Sequence, residues 1–133
     1  MYDPANPVWH TVELGPMPVV ALARIGIQAE AGTVVFFNRA MKHTFEAYPQ
    51  RRGICWPWLG AAVCTPTHIG QQPKHVGTGF DLTYVSPAGT IILVSLLLTP
   101  IKRDPHKYPV TSAYPVDMDS LERRLRVGTT IAL

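Results

Sequence analysis

Apolar and polar positions along this chain fall into a helical period over one stretch and into strand-like runs nearly everywhere else. In N-R-A-M-K-H-T-F-E-A-Y, residues 38–48, Ala40, Met41, Thr44, Phe45 and Tyr48 recur at the offsets of a turn of about 3.6 residues, while Arg39, Lys42, His43 and Glu46 take the remaining positions. The spacing predicts one long helix over 38–49, with Asn38 as N-cap and Pro49 followed by Gly53 as its stop.

Upstream, residues 1–18 carry Pro4, Pro7, Pro16 and Pro18 and read as an extended lead-in with an edge strand over 8–14. V-V-A-L-A-R-I-G-I-Q, residues 19–28, has the β-branched weight of a first strand. Downstream, 61–69 is a strand candidate broken by Pro66, and 70–79 is turn material. Residues 79–85 alternate Phe80, Leu82 and Tyr84 against Asp81 and Thr83, as a half-buried antiparallel strand does. S-P-A-G at 86–89 makes a turn, and 90–98 is apolar on both faces, so the side away from the helix asks for cover from a partner subunit. Residues 110–117 are a last long strand, 119–126 a short amphipathic turn or strand end, and 127–133 is apolar enough to dock. The pattern implies an α+β fold with a mostly antiparallel sheet, in one domain over 1–133.

Composition narrows the function classes. A chain of 133 residues that is 47% apolar buries roughly two-thirds of its unfolded surface without disulfides or metals. Its net charge of +3 suits an anionic ligand, and without a basic run it does not announce nucleic acid. Cys55 and Cys64 lack C-x-x-C spacing and read as reduced thiols; a metal on Cys55, Cys64 and His68 is the remote alternative, and no metal is expected. No apolar run reaches bilayer length and the start lacks the marks of a signal peptide, so a cytoplasmic protein with no membrane partner is expected.

The candidate chemistry surrounds the helix start. Two carboxylates, Glu30 and Glu46, lie on either side of amides that have no acceptor within the helix and carry partial positive charge, suited to a carbonyl oxygen that turns negative during acyl transfer. The same residues, E-A-G-T-V-V-F-F from Glu30 and F-E-A-Y ending at Tyr48, resemble the hot-dog-fold acyl-CoA thioesterases of the 4-hydroxybenzoyl-CoA and 1,4-dihydroxy-2-naphthoyl-CoA type. Those proteins carry Asp-Ala-(Ala/Gly)-Gly-Val-Val-Tyr-Phe and a helical His-Glu-Ala-Tyr. Glu30 falls on the catalytic Asp of that pattern, Val34 and Val35 on its Val-Val, Phe36 on its Tyr and Glu46 on its helix Glu, while Thr33 stands where it has Gly.

The resemblance implies a hot-dog fold, a curved antiparallel sheet wrapped around one long central helix. It implies hydrolysis of an acyl-CoA or acyl-carrier-protein thioester by Glu30 as base or nucleophile, with Glu46 and Asn38 assisting. Thr33, Val34, Val35, Phe36 and Phe37 would form the oxyanion and substrate wall, and Trp56, Trp58 and Phe80 an acyl pocket. Lys74, His75, Lys102 and Arg103, with His106 and Lys107 in the same loop as the latter two, would hold the phosphates of coenzyme A or phosphopantetheine, which enter with the substrate; no other cofactor is implied. The site would lie between protomers of a homodimer that pairs into a homotetramer. From the residues alone, Glu30 and Glu46 are also an exposed turn carboxylate and a solvated helix residue, the tryptophans cover a helix, and the basic loop is a hairpin tip. A non-catalytic hot-dog protein that binds an acyl or aromatic ligand, or serves as a structural subunit, and a β-rich assembly protein stay open beside the enzyme.

Overall fold

Proline and glycine set the boundaries of this fold more than hydrophobic period does. The computed structural model describes residues 9–72 and 78–133. Strand β1 (Val12–Pro16) is an edge strand, which suits a segment ending in proline, and bulges at Leu14, between Glu13 and Gly15, against its neighbour β2 (Thr33–Phe36). Between them residues 19–28 are no strand. Pro18 starts helix α1 (Val19–Ala23), and Gly26, at φ 76°, ends it: its amide bonds Ala23 O at 3.1 Å and the Ile27 amide bonds Leu22 O at 3.0 Å. That pair of bonds is a Schellman stop, and burial of Leu22 overrides the β preference of the two valines.

Asn38 opens α2 (Asn38–Phe45), which has eight residues rather than the twelve expected. Pro49 does not end this helix; it begins α3 (Pro49–Cys55), where a first-turn proline loses no hydrogen bond and Gly53 is tolerated in the helix interior. A 3₁₀ turn over Trp56–Trp58 leads to α4 (Leu59–Cys64), so the run over 61–69 is half helix and half strand. The long central helix of the sequence reading is therefore a series of short helices.

Strands β3 (His68–Gln71), β4 (Gly79–Val85), β5 (Ile91–Leu97) and β6 (Lys107–Pro115) form an antiparallel meander, and β6 lies parallel to β2. Helix α5 (Met118–Val127) and edge strand β7 (Thr130–Ala132) complete a mixed sheet of order β1-β2-β6-β5-β4-β3-β7. The architecture is α+β. Register puts Phe80, Leu82, Val94, Leu96, Val110 and Ala113 on one face, where they join Leu22, Met41, Phe45, Cys55 and Leu59 of α1–α4 in the main core.

The opposite face carries Asp81, Thr83, Leu93 and Ser95, and all four are buried. Helix α5 of the same chain supplies cover there through Leu121 and Arg124, a role the sequence reading gave to a partner subunit. Strong local signals form this helix. Asp117 Oδ1 accepts from the Ser120 amide at 2.7 Å, Asp119 sits in the first turn, Arg124 and Arg126 in the last, and Gly128 ends it at φ 81°. Asp117→Ala should lower stability by about 1 kcal/mol, read as a reduced urea midpoint with unchanged slope; no change would mean that the cap contributes nothing.

Candidate functional site

The start of α2 is the best-defined candidate site, because two segments distant in sequence form its walls. Phe37, extended at φ −72° and ψ 146°, carries β2 straight into the helix and is itself the N-cap, without a side-chain bond to the first turn. Asn38 is thus one position further in than expected. Its amide is satisfied from the segment just before β1, donating to Thr11 Oγ1 at 3.1 Å. The next amides, of Arg39 and Ala40, precede the first helical bond, from the Met41 amide to Phe37 O at 2.9 Å.

The facing wall is the turn between β5 and β6, built around Asp104. Its Oδ1 accepts from the His106 amide at 3.1 Å, its amide bonds Ile101 O at 3.3 Å, and its O accepts from the Lys107 amide at 3.1 Å. Asx turns of this kind fix a hairpin tip without apolar packing. The tip presents Lys102 and Arg103 to α2, and with Phe37, Asn38, Arg39 and Ile101 they line a cleft of about 420 Å³. Arg39, Lys102 and Arg103 make no salt bridge with any carboxylate among the described residues, whereas Lys107 pairs with Asp104 at 3.8 Å. Three cations and a helix start therefore converge on one hollow.

The sequence-expected residues divide around this cleft. Phe37, Asn38, Lys102 and Arg103 line it. Thr33 opens β2, its amide donating to His106 O at 2.7 Å. Val34, Val35 and Phe36 are wholly buried in a strand paired on both sides, so their side chains serve the core rather than a substrate wall. Phe80 is likewise a core residue.

Trp56 packs on the Arg52 guanidinium and borders a separate groove with Val12, Glu13 and Leu14, while Trp58 stacks on Tyr84 at 5.9 Å. Neither tryptophan reaches the cleft. Lys74 and His75 lie outside the described residues. Arg39, Ile101 and Thr11 are the residues the sequence reading missed; Arg39, next to the expected cap, was the one with a visible signal.

Both carboxylates stand apart from the cleft. Glu30 is exposed in the loop before β2, where its carbonyl accepts from Tyr108 Oη at 3.1 Å. Gly32 follows because the backbone is pressed against β6: a Cβ there would come 2.5 Å from His106 O and 2.7 Å from the Tyr108 ring. Glu30 does not line the cleft, although its loop leads to Thr33, whose amide meets His106 of the same turn. Glu46, the C-cap of α2, is exposed at the other end of that helix.

Other reactive groups are masked or dispersed. Burial pushes the Cys55 thiol up to about 12, which leaves it un-ionised and a poor nucleophile at neutral pH. Cys64 is exposed. Among the described residues no cluster of His, Cys, Asp and Glu has the arrangement of a metal site, and no helix is long and apolar enough to cross a membrane. No family model matches the chain, and no curated protein or solved structure matches it.

Proposed function

We propose that this protein binds a phosphate-bearing small molecule in the cleft between the start of α2 and the β5–β6 turn. The observation that carries this reading is the convergence of Arg39, Lys102 and Arg103, none paired to a carboxylate among the described residues, beside first-turn amides that favour negative charge. Magnitudes define the ligand. Exposed charge pairs contribute about 0.2–1 kcal/mol each and the helix start about 0.3–1 kcal/mol. Their sum gives a lone phosphate an affinity no tighter than about millimolar. A useful ligand thus needs a second phosphate and an apolar part that reaches Phe37 and Ile101. Calorimetric titration with inorganic pyrophosphate and with coenzyme A tests this: both should bind at low salt, coenzyme A more tightly, and both should weaken as salt rises. Absence of saturable binding by either at low salt would reject it.

Thioester hydrolysis on a hot-dog scaffold is the second reading. It is favoured by one observation: residues assigned to the carbonyl, Phe37 and Asn38, and residues assigned to the phosphates, Lys102 and Arg103, share one cleft. Glu30, which does not line the cleft, would then act from its own loop or from a second protomer of the homo-oligomer that the resemblance implies. Free-thiol release from a panel of aliphatic and aromatic acyl-CoAs, with wild type and Glu30→Gln, separates the readings. General-base catalysis contributes about a hundredfold or more, so an unchanged rate removes Glu30, and no release from any acyl-CoA leaves binding alone.

A further inference from the structure

Helix α5 lies over the sheet face opposite the main core, and a carboxylate is buried beneath it. Asp81, on β4, is 8% exposed. Its Oδ1 accepts from Ser95 Oγ of β5 at 2.8 Å, and its Oδ2 lies 3.6 Å from Nη1 of Arg124, which stands on α5 with 29% of its side chain exposed. The pairing is lopsided: a well-buried anion faces a half-solvated cation beyond hydrogen-bond distance. Asp81 is also bordered by Gly70 of β3, pressed so tightly against the Thr129 carbonyl and Thr130 Oγ1 that a Cβ would not fit. Elsewhere α5 buries only Leu121 fully.

We propose that α5 is a hinged cover whose closure is governed by the charge on Asp81, tightening when that carboxylate is neutral and loosening when it is ionised. The hinges are the segments at its two ends, Val116–Asp117 and Gly128–Thr129. Lifting α5 exposes Asp81 to water together with the apolar strip around Leu93 and Leu121, both outside the main core. Burial raises the Asp81 carboxyl above its ordinary value of 3.8, against the opposing pull of Ser95, Arg124 and Gln72. The closed form therefore binds the proton more tightly than the open form. Closure is fully favoured at low pH and weakens as pH rises from the ordinary value through the raised one.

Among the described residues, few charged or titratable groups surround Asp81. Helix α5 contributes Arg124. Strand β3 contributes His68, two positions along the same face, whose ring is held by Thr67 Oγ1 at 2.8 Å and whose burial lowers its proton affinity. Strand β5 offers Ser95, β7 Thr130, and Gln72 is neutral. His68 acts in the opposite sense, favouring the folded form as pH rises, so the difference between wild type and an Asp81 variant isolates the carboxylate.

Hydrogen exchange of the α5 amides, corrected for intrinsic rates, reads the opening constant directly. In wild type relative to Asp81→Asn that constant should rise as pH is taken from about 4, near the ordinary carboxyl value of 3.8, to about 8. Asp81→Asn should be more protected than wild type at the higher pH. Arg124→Gln and Ser95→Ala, which remove support for the charged form, should steepen the rise. The proposal is overturned if Asp81→Asn keeps the wild-type pH dependence or opens more readily at high pH. Should that variant not fold, shallower slopes in Arg124→Gln and Ser95→Ala overturn it equally.

Discussion

Phe36→Ala should cost about 3–5 kcal/mol of stability, the range for emptying a buried aromatic site. Phe36 has no exposed surface, and its ring packs on that of Phe45 at a centroid distance of 5.8 Å and an interplanar angle of 53°, the tilted geometry that aromatic pairs favour. The contact joins the last residue of β2 to the last turn of α2 and so sets the direction in which the helix leaves the strand. A domain of this size has about 5–15 kcal/mol in total, so the loss is a fifth or more of it. Thermal unfolding should fall by roughly 10–20 °C. Val20→Ala, at a site 80% exposed on α1, is the control and should stay within about 0.5 kcal/mol. A Phe36→Ala loss below about 1 kcal/mol would mean that the core around β2 repacks freely, contrary to its burial.

Sequence reasoning succeeded where a single physical cause set an element and failed where two competed. Strand β4 was legible because its alternation is regular, and so was the S-P-A-G turn, where Gly89 takes φ 89°. Helix α1 was not, because V-V-A-L-A points to strand by side-chain shape and to helix only through Pro18 before it and Gly26 after it. The 3.6-residue stripe was real through Phe45, but a period cannot say where a helix stops. Tyr48 continued the stripe yet lies 48% exposed beyond the helix end. Pro49 suits a helix stop and, through its fixed φ, equally a first turn, and here it begins α3. The cover on β5 was misassigned for a different reason: D-S-L-E-R-R-L-R is too short to declare its face, and the Asp117 cap and the Gly128 terminator were the signals that named it a helix. At the candidate site, the loop cations were visible as chemistry. That they meet Arg39 is a contact between segments more than sixty residues apart, which no local pattern encodes.

Removing the cleft's charge should change ligand binding while leaving the fold intact, which makes R39A/K102A/R103A the sharpest test of the binding reading. Each cation is exposed and none pairs with a carboxylate among the described residues, so truncation strands no buried charge and stability should move by less than about 0.5 kcal/mol per site. Three contacts of about 0.2–1 kcal/mol each amount to roughly a threefold to hundredfold loss of affinity for coenzyme A at low salt. The salt dependence should flatten at the same time, since it arises from the charges removed. A net charge of +3 alone would attract any polyanion weakly, so specificity needs its own control. Arg123→Ala/Arg126→Ala on α5 removes two exposed arginines that do not line the cleft and should leave affinity within about twofold of wild type. Equal losses in the two variants would reduce the cleft to a share of the overall field. A triple variant that binds like wild type would place the ligand, if there is one, elsewhere on the molecule.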